Sequence, residues 1–203
     1  MQNDPWLQLL MLAAGLYVTK LWLDDFRAQR TDQPNPRALP GVSLSSTRAI
    51  LLAALGGFVV VGAETWGEKA LGIAGEQSKM TGLFAGYTLV AAIIEEIIFR
   101  GYIVLEKRGK LALWVSVFGA SLLFTALHPF LWKWENGQLS STFSLKGWFS
   151  SAAVFVASLW FYFVRFARFN PQHSLLPCFA AHASKNIGVI LFKAAQGFLT
   201  GWY

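Results

Sequence analysis

The sequence predicts an all-α protein, a polytopic transmembrane bundle of about six helices. Of its 203 residues, 55% are hydrophobic and only 14% are charged, and the mean hydropathy is +0.45. A compact soluble protein of this size needs more polar surface than such a composition supplies. The same composition excludes intrinsic disorder, which requires low hydrophobicity and high charge. A polytopic membrane domain is the class that remains.

The helices are predicted from apolar runs of about 17–25 residues, the length that crosses roughly 30 Å of hydrocarbon. A polar segment rich in Pro, Arg and Asp follows the first run and predicts a surface loop over 24–46. We interpret 1–203 as one membrane domain, in which spans within about 6–63 form a scaffold and about 82–199 carries the polar motifs. The predicted spans are 6–23, 47–63, 82–105, 111–130, 147–166 and 176–199.

The positive charges predict the orientation of the bundle. Lysine and arginine concentrate on the cytoplasmic side of membrane proteins. Ten of them follow spans one, three and five, against four after spans two and four, which predicts that both termini lie outside. The distribution is typical of a multi-pass protein of a cell membrane, such as the bacterial inner membrane, and it accounts for the net charge of +6 without a nucleic-acid partner. The two sets are Lys20, Arg27, Arg30, Arg37, Arg48, Lys107, Arg108, Lys110, Arg165 and Arg168, and Lys69, Lys79, Lys133 and Lys146.

Span three contains three charged residues, Glu95, Glu96 and Arg100, inside an otherwise apolar run. Each charge at the centre of a span costs about 2.5–3.5 kcal/mol on insertion scales, so intramembrane charges usually mark function. Glu96 and Arg100 are four residues apart and therefore share a helix face, where they can form an ion pair. Glu95 is rotated by roughly 100° and is free to point elsewhere. The alternative is that both glutamates belong to an ion-pair network that serves only packing.

Two further spans supply imidazoles. Span four contributes His128, and span six contributes His182 and Asn186, which are four residues apart and share a face. Either histidine alone would more often be a core residue with satisfied hydrogen bonds. Glu95 lies fourteen residues before Gly109 and His128 nineteen after it. At about 1.5 Å per residue, both lie roughly 21–28 Å up adjacent antiparallel helices. We therefore predict that they meet.

Together the three motifs resemble those of the CAAX protease and bacteriocin-processing family, also called the ABI family. The matching patterns are Glu-Glu-x-x-x-Arg at 95–100, Phe-x-x-x-His at 124–128 and His-x-x-x-Asn at 182–186, in this order on separate apolar segments. The family includes the Ras-converting CAAX endopeptidases, which are intramembrane proteases of the glutamate type. The resemblance implies a peptide or protein substrate, cleaved within the lipid bilayer near the substrate's C-terminus, and no cofactor.

The resemblance also implies roles for the six site residues. Glu95 would activate a water with help from His128, and His182 and Asn186 would hold the developing oxyanion. Glu96 and Arg100 would orient the site. A zinc-dependent variant is the alternative, because Glu and two His are also metalloprotease ligands. Against zinc, the sequence has no His-Glu-x-x-His helix. A non-catalytic immunity or assembly factor is the second alternative, in which the motifs form a polar packing core.

Three further charged residues, which are not defining positions of the motifs, have less specific interpretations. Lys185 either neutralises a substrate carboxylate or reaches to the interface or to a carbonyl group. Glu64 and Glu68 are expected to form a solvated helix end.

The orientation places Glu95 and His128 toward the outer half of the bilayer, whereas the CAAX endopeptidases attack cytosolic C-termini. The orientation therefore predicts an exported substrate unless the topology is inverted.

Overall fold

A computed structural model describes residues 4–31, 35–135 and 137–203. Within these ranges the chain forms six α-helices and one antiparallel hairpin, so the predicted all-α membrane bundle is confirmed. The hairpin was not predicted from the sequence. The helices are α1 (Pro5–Arg30), α2 (Thr47–Ala70), α3 (Gly82–Glu96), α4 (Lys110–Ala126), α5 (Leu145–Phe166) and α6 (Leu176–Ala195), and the strands are β1 (Trp132–Glu135) and β2 (Gln138–Ser141).

Four helices begin at a side chain that accepts a hydrogen bond from the first turn. Asp4, Ser46, Thr81 and Ser144 each accept from the backbone N–H three residues later, at 3.0–3.2 Å. Asp, Ser and Thr are favoured at this position because the first N–H groups of a helix have no partner within it. These caps fix where α1, α2, α3 and α5 begin.

Four of the described segments are long and apolar enough to cross a membrane: α1, α2, Gly82–Arg108 and α5. The exposed face of α2 is apolar, with Leu51, Leu55 and Val59 pointing outward, as expected of a surface in contact with lipid. α4 is shorter, at 17 residues. α6 has 20 residues and buries polar side chains among its neighbours.

Two predicted boundaries are wrong. α1 continues to Arg30, so the polar segment predicted as a loop over 24–46 begins as helix. The reason is local, because Asp24 pairs with Lys20 at 2.5 Å and Arg27 at 3.4 Å along the helix surface. The third span, predicted over 82–105, agrees with the segment Gly82–Arg108, although its α-helix ends at Glu96. The fourth ends at Ala126 instead of 130, where Pro129 cannot continue a helix.

The close approach of α2 and α6 depends on small residues. A Cβ atom at Gly57 would lie 2.3 Å from the carbonyl oxygen of Ala181 and 2.2 Å from the hydroxyl of Ser184. A Cβ at Gly188 would lie 2.4 Å from the Val61 side chain. Small residues allow helix backbones to pack closely in membranes, where no hydrophobic effect drives helices together. This packing holds the polar face of α6 against the interior of the bundle.

Candidate active site

The backbone changes its winding directly after the two glutamates. A π-helical turn over Ile97–Tyr102 follows α3, and the N–H of Ile103 donates to the carbonyl of Ile98 at 2.9 Å. Carbonyl groups in the last turn of a helix lack partners within it. Here α5 supplies the missing hydrogen-bond donors. The Tyr162 hydroxyl donates to Phe99 O at 2.7 Å, and Arg165 Nε donates to Arg100 O at 3.3 Å. Such π turns occur frequently at functional sites.

The predicted ion pair between Glu96 and Arg100 forms, and both side chains are fully buried. Arg100 Nη1 donates to Glu96 Oε1 at 3.0 Å. Arg100 Nη2 donates to the hydroxyl of Ser158 at 2.7 Å, and this hydroxyl donates to Ser121 at 3.0 Å. The two serines were not predicted, because a lone hydroxyl in an apolar helix gives no sequence signal. The pair is held from three helices and has no freedom to reorient.

Aromatic rings enclose the Arg100 guanidinium. Its central carbon lies 4.7 Å from the ring centroids of Phe124 and Tyr162 and 5.0 Å from that of Phe161. A cation over an aromatic face is attracted by the negative charge density of the ring, and the attraction is stronger away from water. This enclosure offsets part of the cost of burying the guanidinium, so Phe124 of the second motif also supports the first.

His182 lies between the two glutamates. Its Nδ1 is 2.7 Å from Glu96 Oε1, and its Nε2 is 3.7 Å from Glu95 Oε2. Because a carboxylate paired with arginine accepts hydrogen bonds, Nδ1 donates to Glu96. The second distance is beyond hydrogen-bond reach. Stacking on Phe161, with ring centroids 4.5 Å apart, fixes the plane of the imidazole. Sequence reasoning did not predict the bond between His182 and Glu96, since nothing in the sequence relates α6 to α3.

His128 follows the end of α4 and is held by its own helix. Its Nδ1 donates to the carbonyl of Phe124 at 2.8 Å. Neutral imidazole then carries a lone pair on Nε2, which is the form that accepts a proton. The ring centroid of Phe124 lies 4.7 Å from that of His128 and 6.1 Å from that of His182. The second motif therefore places Phe124 between the two imidazoles.

Asn186 lies one turn after His182, as predicted. Its Nδ2 donates to the carbonyl of Thr88 on α3 at 3.0 Å. The amide nitrogen carries two hydrogens, so one N–H remains to bind another acceptor. The hydrogen bond joins α6 to α3 at Thr88, before the glutamates in the chain, and it fixes the direction of the second, free N–H.

A cavity of about 670 Å³ lies between α2, α3, α4, α5 and α6. Four of the predicted site residues line it: Glu95, His128, His182 and Asn186. The side chain of Glu95 is 32% exposed, whereas that of Glu96 is 0% exposed and lies behind the wall with Arg100. Adjacent glutamates thus occupy different environments, as the roughly 100° rotation between them predicts.

The opposite wall of the cavity is charged, and here the sequence interpretation is wrong. Glu64 is not in a solvated helix end but pairs with Lys185 at 3.2 Å, and both side chains line the cavity. Glu68 is buried and bonded to Lys146 and Gln77. Lys185 therefore has a carboxylate partner in its own chain. The i,i+4 spacing of Glu64 and Glu68 at the end of an apolar run was the signal for this wall.

A site for a metal ion would need a cluster of ligating side chains. Among residues 4–31, 35–135 and 137–203, no three or more His, Cys, Asp or Glu side chains form a group that could hold a metal ion. Cys178 is buried and is the single cysteine of the chain. The choice between metal-free and zinc-dependent chemistry stays a prediction.

Comparison with known proteins identifies the family. A family model described as type II CAAX prenyl endopeptidase Rce1-like matches residues 77–188, which is more than half of the chain and includes all three motifs. The chain therefore belongs to the CAAX protease and bacteriocin-processing family. No curated protein and no solved structure matches it. Family membership and the apolar helices together define a multi-pass membrane protein with a protease domain of the CAAX type.

Proposed function

We propose that this protein is a glutamate-type intramembrane endopeptidase in which Glu95 activates the attacking water. The observation that carries the proposal is the difference between the two adjacent glutamates. Glu96 is fully buried and bonded to Arg100, whereas Glu95 faces a cavity that also contains two imidazoles and an amide. A carboxylate in a partly dehydrated site is a competent general base.

The proposed reaction uses the cavity side chains in sequence. Glu95 takes a proton from water as the water oxygen attacks the carbonyl carbon of the scissile bond. The neutral His128 assists by accepting a hydrogen bond from the same water. Asn186 donates its free N–H to the oxyanion of the tetrahedral intermediate, and His182 donates from Nε2, which requires the ring to carry a proton on both nitrogens while Nδ1–H stays bonded to Glu96. Collapse of the intermediate breaks the C–N bond, and the proton held by Glu95 passes to the leaving amine.

The rigidity of the surroundings supports these roles. His182 is fixed by Glu96 and by Phe161, and Asn186 by Thr88, so His182 Nε2 and the second N–H of Asn186 need not reorient during the reaction. Donors held in advance stabilise an oxyanion by about 2.7–4 kcal/mol each. Glu96 and Arg100 are positioning residues in this proposal.

The proposed substrate is a peptide or protein segment near the C-terminus of a membrane-associated or exported protein. The cavity volume of about 670 Å³ is in the range of sites that enclose a small ligand or a short stretch of chain. Its lining comes from the half of the bundle opposite the segments rich in lysine and arginine, since it uses the end of α2 and the beginning of α3 and α5. With those segments inside a bacterial inner membrane, the cavity opens outward, which favours an exported substrate.

The test compares Glu95→Gln with the wild-type protein on candidate C-terminal peptides. We expect the variant to lose at least about 100-fold in the rate of cleavage, the lower range for a general base. The midpoint of thermal unfolding should change little, because the nearest partner of the Glu95 carboxylate, His182 Nε2, lies beyond hydrogen-bond reach at 3.7 Å. Glu76→Gln, the same change at an exposed residue, is the matched control and should cleave at the wild-type rate. Equal cleavage by Glu95→Gln and wild type would favour the non-catalytic immunity or assembly factor.

A further inference from the structure

A second pocket, of about 360 Å³, lies at the end of the bundle opposite the opening of the active-site cavity. Gln29 near the end of α1 and Arg165 near the end of α5 line it, together with Ser43, Glu106 and Gln172. Because α1 and α5 both end here, the pocket lies at a surface of the membrane. None of the residues that line this pocket takes part in the proposed hydrolysis.

Arg165 is the unusual residue of this pocket. It is 7% exposed, and its Nη1 is buried without a hydrogen-bond partner. Within the described ranges the one hydrogen bond of its guanidinium runs from Nε to the carbonyl of Arg100 at 3.3 Å. Guanidinium groups have five N–H donors in a planar fork, and a buried cation without a counter-ion is costly. The outer part of the fork therefore lacks the anion that such a group normally binds.

The carboxylate of the pocket does not fill this need. Glu106 lines the same pocket but is bonded to His173, and it forms no ion pair with Arg165. Gln29 and Gln172 contribute neutral amide groups that can donate hydrogen bonds. Glu106 and Glu96 therefore act on the charge of Arg165 only through space, and no carboxylate of the described residues is in contact with it beside this open pocket and its neutral donors.

We propose that this pocket binds a phosphate group, either of a lipid headgroup or of a free phosphate. Arginine binds phosphate through two parallel N–H bonds, a geometry that suits its planar fork. Lys107, Arg108 and Arg168 lie in the segments at the same end and make the local potential positive. Phosphate headgroups are the abundant anions at a membrane surface. A lipid headgroup and a free phosphate share this chemistry, and the experiment separates them.

The experiment measures the thermal unfolding midpoint of the purified full chain in detergent. In one arm dioleoyl phosphatidylglycerol is titrated, with dioleoylglycerol, which has the same tails and no phosphate, for comparison. In the other arm sodium phosphate is titrated against sodium chloride at equal ionic strength. We expect at least one phosphate probe to raise the midpoint by at least about 3 °C at saturation. A rise with lipid alone identifies a headgroup, and a rise with inorganic phosphate alone identifies a soluble ligand.

Two variants test whether the rise comes from this pocket. Gln172→Glu places a negative charge in the pocket without touching Arg165 and should raise the half-saturating probe concentration about tenfold. Gln196→Glu makes the same change at the far end of α6, roughly 30 Å away, and should respond as wild type. Arg165→Gln should abolish the rise. If Arg165→Gln does not fold, the comparison of the two glutamate variants decides. No rise with either phosphate probe, or an unchanged response in Gln172→Glu, would overturn the proposal.

Discussion

At the scale of single residues, two neighbouring glutamates have opposite environments. Glu96 has lost all contact with water and is bonded to Arg100 and His182. Glu95, one position earlier, faces the cavity. The helical rotation of about 100° per residue is enough to place one carboxylate inside the bundle wall and its neighbour in the cavity. In the proposed mechanism this difference is used, because Glu96 holds the neighbouring groups in place while Glu95 exchanges a proton with water.

The buried pair of Glu96 and Arg100 gives the first prediction. Arg100→Met leaves the Glu96 carboxylate buried with His182 as its remaining partner, and it removes the cation from the surrounding rings. We expect a loss of about 3–5 kcal/mol in the free energy of unfolding, the usual cost of breaking one side of a buried pair. Chemical denaturation in detergent, followed by tryptophan fluorescence, measures the loss.

A double variant separates the pair from its surroundings. Glu96→Gln combined with Arg100→Met removes both charges. The loss in the free energy of unfolding of this double variant should be smaller than the sum of the losses of the two single variants, by about 0.5–3 kcal/mol. Additive losses would show that the two side chains do not stabilise each other, contrary to the ion pair at 3.0 Å.

At the scale of elements, the close packing of α2 against α6 sets the position of His182 and Asn186. Gly57 is the contact point, because its backbone touches Ala181 and Ser184 on α6. The π-helical turn after Glu96 has the corresponding role on α3, since its free carbonyls bond to α5. The candidate site therefore depends on the π turn in the third span and on the close contact at Gly57 in α2. Both lie in helices that otherwise look like ordinary membrane spans.

Gly57→Ala tests the packing of α2 on α6. The added methyl group would lie 2.3 Å from Ala181 O, so the helices must move apart, and we expect a loss of about 1–3 kcal/mol in stability. Gly62→Ala on the same helix is the control, because nothing lies within 4 Å of its added methyl group. That variant should gain about 0.4–1 kcal/mol. Equal effects of the two substitutions on the thermal midpoint would contradict the close contact.

At the scale of the whole molecule, the two ends of the bundle differ in character. The candidate active-site cavity is lined by the end of α2 and the beginning of α3, whereas the lysine- and arginine-rich segments lie at the other end with the Arg165 pocket. The orientation of the bundle therefore decides which compartment supplies the substrate. It also decides which membrane surface the proposed phosphate pocket meets.

Cysteine labelling tests the orientation. The native Cys178 is buried, so introduced cysteines give the main signal. We expect Gln138→Cys, in the hairpin after α4, to react with a membrane-impermeant maleimide in intact cells. Lys107→Cys, after the π turn, should react only once the membrane is permeabilised. The reverse pattern would place the cavity on the cytosolic side and would favour a cytosolic substrate.

The choice between metal-free and zinc chemistry is tested on the same whole protein. A general base and oxyanion donors need no ion, so we expect cleavage to survive treatment with EDTA and 1,10-phenanthroline, with less than about a twofold change in rate. Measured metal content of the purified protein, by mass spectrometry, gives an independent readout. Inhibition by the chelators that added zinc reverses would instead support the zinc-dependent variant.

The sequence by itself determined the membrane fold, the three motifs and the ion pair of Glu96 with Arg100. Each of these follows from composition or from spacing within one helix, where the period of 3.6 residues fixes which side chains share a face. Only the tertiary structure decided that His182 bonds to Glu96, that Ser158 and Ser121 hold Arg100, and that Glu64 pairs with Lys185. These contacts join helices that are far apart in the chain. No local period relates such helices, and their register is set by where small residues such as Gly57 let two backbones meet.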